Sequence, residues 1–221
     1  MAYSRLKLVL LNVVMWATPV FAQSPRPNEM PNATAVLPTK HRTNSSARQK
    51  ITLRLDDSAK VDPAILAKAR RVATVIFRGS GLEAAWLDGA PSETHCGKDG
   101  ECPQFRLRII PADLAKGIVE GDALGFAVPC AENEDACLIY IFYSRISALA
   151  KRHVVAPDLI LGHVIAHEVG HTLIGPNAHD LYGVMQPVLP IADLGRTLFF
   201  TSAQTDRLRF GLSERNRVSN R

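Results

Sequence analysis

The sequence predicts one α/β domain, with helices packed on a sheet of about five strands. Three observations carry that expectation. An alternating strand at Ile51–Leu55, a helical repeat after Asp62 and a short strand at Leu82–Leu87 read as strand, helix, strand. The run Leu138–Tyr143 is continuously apolar, as a strand buried on both faces is. Pro157–Ile174 is apolar almost all round, which marks a buried helix.

The elements follow in order. Asp62 and Pro63 make a helix start, a cap followed by proline at the first helical position. Ile65, Leu66, Ala69, Val72, Ala73 and Ile76 recur at helical spacing, and Gly79 offers a stop. Gln104–Ile110 alternates, with Phe105, Leu107 and Ile109 on one face and Arg106 and Arg108 on the other. Leu124–Pro129 is a fourth strand whose glycine and terminal proline suit a sheet edge. After Ile174, Gly175-Pro176 stops the buried helix, and a last helix is expected over Ser202–Arg209. The domain is therefore expected over 51–211, with a basic disordered tail at 212–221.

The N-terminal residues read differently. Arg5 and Lys7 precede the apolar stretch Leu8–Ala17, and Val20-Phe21-Ala22 has the small-x-small form of a cleavage site. Residues 1–22 thus read as a secretory signal peptide, and the apolar stretch is about half of the roughly 20 residues a membrane span needs. Residues 23–50, rich in Pro, Ser, Thr and Asn, read as a disordered linker or short pro-segment. The expected location is secreted or periplasmic, and the protein is expected to be a monomer with no transmembrane segment.

Charge narrows the function classes. The formal net charge is +5, yet residues 51–206 carry 14 basic against 19 acidic residues. The basic excess lies at the two ends, so a nucleic-acid partner is not expected. No phosphate-binding loop, dinucleotide fingerprint or serine nucleophile elbow is present. Cys96, Cys102, Cys130 and Cys137 are an even set in a chain read as exported, spaced too widely for zinc knuckles. Two local disulfides, Cys96–Cys102 and Cys130–Cys137, are favoured among three connectivities, as staples of polar loops.

The chemistry is concentrated in the buried helix. His167, Glu168 and His171 form His-Glu-x-x-His. Histidines at i and i+4 share a helical face at a spacing that lets both imidazoles bind one zinc. Glu168 is then placed to take a proton from water activated by that metal. Burying two histidines and a glutamate without partners is costly, and a metal supplies the reason. The rival is a buried His–Glu hydrogen-bond network with no metal. A catalytic zinc wants a third protein ligand. Gly175-Pro176 can turn the chain back toward the helix, which makes His179 the candidate, with Asp180 its rival. His163 reads as a core or cleft histidine, Tyr182 as a packed aromatic, and Met185 lies six residues beyond His179.

With His167-Glu168-x-x-His171, Gly175, His179 and Met185 in this order, the chain resembles the metzincin metalloproteases. It is also similar to a group of exported bacterial metallopeptidase-like proteins carrying His-Glu-x-Gly-His and Gly-Pro-Asn-x-His. The metzincin motif has its glycine one residue earlier and its third histidine two residues earlier, so the loop here is longer. The resemblance implies an α+β metzincin-like fold: a mixed twisted sheet with one antiparallel edge strand, an active-site helix, a Met-turn and a C-terminal helix. It implies Zn2+ on His167, His171 and His179, Glu168 as general base, and Met185 in the turn beneath the metal. It also implies that 124–129 binds extended peptide by strand addition. The expected activity is zinc-dependent hydrolysis of peptide bonds, and the alternative is a non-catalytic exported binding protein on the same scaffold.

Overall fold

A computed structural model describes residues 48–87, 104–115, 121–128, 130, 136–190, 193 and 195–219. All of these fall in one compact unit, Ser45–Arg221. The expected signal peptide (1–22), nearly all of the expected linker (23–50) and the expected pair Cys96–Cys102 lie outside the described residues.

Five strands form one sheet in the order β2-β1-β3-β5-β4. They are β1 (Gln49–Asp57), β2 (Leu82–Leu87), β3 (Phe105–Ile110), β4 (Gly125–Ala127) and β5 (Cys137–Phe142). β1, β2, β3 and β5 run parallel, and β4 joins the edge antiparallel to β5. The expected mixed sheet with one antiparallel edge strand is therefore the observed one. β1 begins two residues before the expected boundary.

Alternation decides which face is dry. Ile51, Leu53 and Leu55 of β1, Phe105, Leu107 and Ile109 of β3, and Ile139 and Ile141 of β5 are buried on one face. Helix α1 (Pro63–Gly79) and helix α4 (Pro157–Ile174) share this core through Ala69, Ala73, Ile76, Ile160, Leu161 and Val164. Asp62 caps α1 as expected, its side chain accepting from the N–H groups of Ala64 and Ile65 at 2.7 and 3.4 Å. The two helices approach closely at Gly162, where a Cβ would lie 2.9 Å from the Ala69 carbonyl oxygen. On the opposite face of the sheet, Arg108 pairs with Asp56 at 3.4 Å across neighbouring strands.

Three features differ from expectation. Helix α3 (Tyr143–His153) follows β5 with no turn between them and no side-chain cap, so it carries no sequence boundary signal. A one-turn helix, α2 (Ala112–Ala115), follows β3. Helix α5 runs from Ser202 to Ser219, through residues where a disordered tail was expected. At Gly211 a Cβ would collide with the Leu173 carbonyl at the end of α4. Its small size thus serves helix packing, and Leu208 and Leu212 are fully buried beside it. Cys130 and Cys137 form the expected disulfide, which ties the chain after β4 to the start of β5.

Candidate metal centre and cleft

The site is built on α4. Its residues are buried almost all round, as the sequence predicted, except along the stripe that carries His167 and His171. The helix ends at Gly175, whose φ of +117° is reached readily only by glycine. That reversal returns the chain over the helix and brings His179 to the other two histidines. His167 Nε2 and His171 Nε2 are 3.0 Å apart, and His171 Nε2 and His179 Nε2 are 3.1 Å apart. All three candidate ligand atoms lie within 4.8 Å of one another.

Backbone carbonyls orient two of the rings. His167 Nδ1 donates to the Val184 carbonyl at 2.8 Å, and His171 Nδ1 donates to the Gly175 carbonyl at 3.2 Å. The protons are thereby fixed on Nδ1, and the bare Nε2 lone pairs converge. Two lone pairs facing each other at 3.0 Å repel, so the cluster suits a cation between them. Ligands of a tetrahedral zinc are about 3.3 Å apart, close to the spacing here. Burial holds the His167 imidazole down at about 4, and it also lowers His171 and His179. Neutral imidazole is the state that binds metal. The donor set therefore fits a divalent metal ion.

Asp180 is not part of the cluster. Its Oδ2 accepts from Gln204 Nε2 at 3.2 Å and lies 3.9 Å from the Arg207 guanidinium. Of the two candidates for third ligand, the structure brings His179 to the helix histidines.

Below the histidines the turn after His179 is fastened from several sides. Met185 is fully buried, and its carbonyl accepts the Asp180 N–H at 2.9 Å. A Cβ at Gly170 would collide with Met185 Sδ, so the glycine between Glu168 and His171 leaves room for that sulfur. Gln204, fully buried, donates to the Tyr182 carbonyl at 2.8 Å and accepts the Thr201 N–H at 3.0 Å. Tyr182 is 72 % exposed, so it is not the packed aromatic the sequence suggested. His163, only 2 % exposed, donates from Nδ1 to the Leu159 carbonyl and accepts the Leu198 N–H at Nε2, both at 2.7 Å. It is the core histidine expected.

Glu168 is 7 % exposed and sits between α4 and the edge strand. Burial pushes its carboxyl up to about 8, and a hydrogen bond donated by the Ala127 N–H partly offsets that rise. A Cβ at Gly125 would lie 2.7 Å from both Cγ and Oε1 of Glu168, so β4 must have glycine there. Sequence reasoning missed Gly125, Ala127 and Gly170 as parts of the site. The two glycines are visible inside a strand and a helix, but what each makes room for is a tertiary fact. His167, Glu168, His171 and His179 all line a cleft of about 1090 Å3 bounded by β4, α3 and residues 186–189.

Such a site, with three converging imidazoles, a buried carboxyl and a strand edge that no other described strand pairs with, can hold a metal ion and seat an extended chain beside it. Among the described residues no helix is long and apolar enough to cross a membrane. The chain matches no protein-family model and no curated protein.

Proposed function

We propose that the protein is an exported, metzincin-like zinc endopeptidase. The observation that carries the reading is the placement of Glu168 beside the three-histidine cluster and against the outer edge of β4. Its carboxyl is dry, and it lines the same cleft as the histidines.

His167, His171 and His179 would hold the zinc. Bound zinc supplies Lewis acidity, which brings the pKa of water toward about 7 and polarises a carbonyl. Glu168 takes a proton from the attacking water and delivers it to the leaving amine. The water oxygen adds to the carbonyl carbon as the C–N bond breaks. A carboxyl whose pKa burial has moved toward neutrality suits both halves of that transfer. With a dication held by the histidines, the Glu168 carboxyl would return toward its ionised form, ready to accept the first proton. The outward backbone groups of β4 other than the Ala127 N–H, which Glu168 holds, pair with the peptide main chain.

Replacing Glu168 with Gln keeps the side chain's size and removes its basicity. Hydrolysis of unfolded casein should fall by about 10²–10⁴-fold while zinc content stays at one per chain. Full activity in Glu168→Gln, or wild-type activity that survives chelation, overturns the proposal.

A further inference from the structure

The cleft has a chemically distinct end. The ladder places Phe142 N–H on the Leu124 carbonyl and Val128 N–H on the Leu138 carbonyl, both at 2.9 Å. With Phe126 opposite Tyr140, residues 124, 126 and 128 face β5. Gly125 and Ala127 therefore turn their N–H and carbonyl groups to the outer edge, where the Ala127 N–H already donates to Glu168. One further outward group, the Ala123 carbonyl, is already taken by the Arg145 guanidinium at 2.8 Å. Main-chain pairing along this edge stops there, after only a few residues.

Beyond that stop the cleft wall is α3. Arg145, Ala148, Leu149 and Arg152 fall at i, i+3, i+4 and i+7 and all line the cleft, as does His153. The backbone positions of Arg145 and Arg152 stand two helical turns, about 10 Å, apart along that stripe. Asp122 lines the same end and offsets one positive charge. Arg145 is held by Ala123 and lies 4.7 Å from the centroid of the Phe142 ring. Arg152 is exposed and has no ion-pair partner among the described residues.

We infer that this end of the cleft selects peptides bearing a carboxylate a few residues to the carboxyl side of the cleaved bond, with Arg152 as its ligand. The inference rests on the peptidase reading above and names the substrate class of that site. Direction follows from the strand: a peptide added antiparallel to β4 runs its carboxyl-terminal end toward Ala123 and the arginines. A peptide added in the opposite sense would bring its amino-terminal end to the same cations. The carboxylate is either an acidic side chain or the free C-terminus of a short peptide.

The test uses the full protein with zinc and four peptides matched around one cleaved bond. One has an acidic residue on the carboxyl side and an amidated end. The second is neutral with a free C-terminus, the third neutral with an amidated end, and the fourth has lysine in place of the acidic residue. Hydrolysis rates are read at low and high salt. Binding of the same peptides to the uncleaving Glu168→Gln protein is read by fluorescence anisotropy. One or both carboxylate peptides should exceed the neutral amide about tenfold in kcat/KM and in affinity, less so at high salt. Whichever of the two does so identifies the source of the carboxylate. Arg152→Ala should erase the ratio, and Arg152→Glu should turn it toward the lysine peptide. Cleavage of all four peptides at equal rates overturns the inference and leaves the peptidase reading standing. Selective, Arg152-dependent binding without any cleavage supports the inference and overturns the peptidase reading.

Discussion

Gly125→Ala tests how the carboxylate is seated. An added Cβ would lie 2.7 Å from Cγ and Oε1 of Glu168 and 2.9 Å from its Cδ. Carbon contacts are comfortable at about 3.5–4.0 Å, so the shortfall is about 1 Å. Either Glu168 leaves the Ala127 N–H or β4 parts from α4, and both move the general base by about that distance. A displacement of about 1 Å at a reacting group costs on the order of 10²-fold in rate. Stability should fall by about 0.5–2.5 kcal/mol, because losing the hydrogen bond costs about 1.5–3 kcal/mol and removing glycine from a strand returns about 0.5–1 kcal/mol. The three atoms nearest the new methyl all belong to Glu168, so zinc content should stay at the wild-type level. The assay is casein hydrolysis with metal analysis on the same sample. Wild-type activity in Gly125→Ala refutes the argument, and so does zinc loss as deep as that of a ligand variant.

Other expectations follow from the same structure. His179→Ala should weaken zinc binding at least tenfold and abolish zinc-dependent thermal stabilisation, whereas Asp180→Ala should keep the metal; a reversed pattern in metal analysis would transfer the ligand role to Asp180. His163 is buried in its neutral form with both ring nitrogens bonded, and burial lowers it below its ordinary value of 6.5. The unfolded chain therefore binds the extra proton as pH falls below about 6.5, and stability is lost toward acid by up to about 1.4 kcal/mol per pH unit for this residue. Urea unfolding of the chelated protein between about pH 7.5 and 5.5 should show a shallower acid loss in His163→Asn than in wild type, and equal slopes would refute this. Val154 ends α3 at φ +55° with its side chain 94 % exposed, so it adopts a left-handed conformation without gaining contacts. Val154→Gly should raise stability by about 1 kcal/mol, a Tm gain of roughly 2–4 °C, and a lower Tm would show that the strain is absent.

Local pattern determined much of this protein. Alternation over 51–55 and 104–110 placed β1 and β3. The Asp62-Pro63 pair placed the start of α1, and the all-round apolar character of 157–174 placed α4 within the core. These signals are short-range, because a period of two or 3.6 residues and a cap are complete within one element. His-Glu-x-x-His was legible for the same reason, since its spacing is that of one helical turn. The expected tail is polar and basic, and the helix through it depends on Gly211. That glycine is a packing contact once Leu173 stands against it. Helix α3 was missed because it begins without a cap directly from a strand.

Tertiary structure decided the rest. His179 and Asp180 are neighbours, and residue type alone favours the histidine; the path of the chain after Gly175 sets one on the helix histidines and the other on Gln204 and Arg207. Gly125 and Gly170 gained their meaning from Glu168 and Met185, which lie about forty and fifteen residues away along the chain. A side chain's partner across the core depends on how whole elements pack, and no periodicity within a single element encodes that.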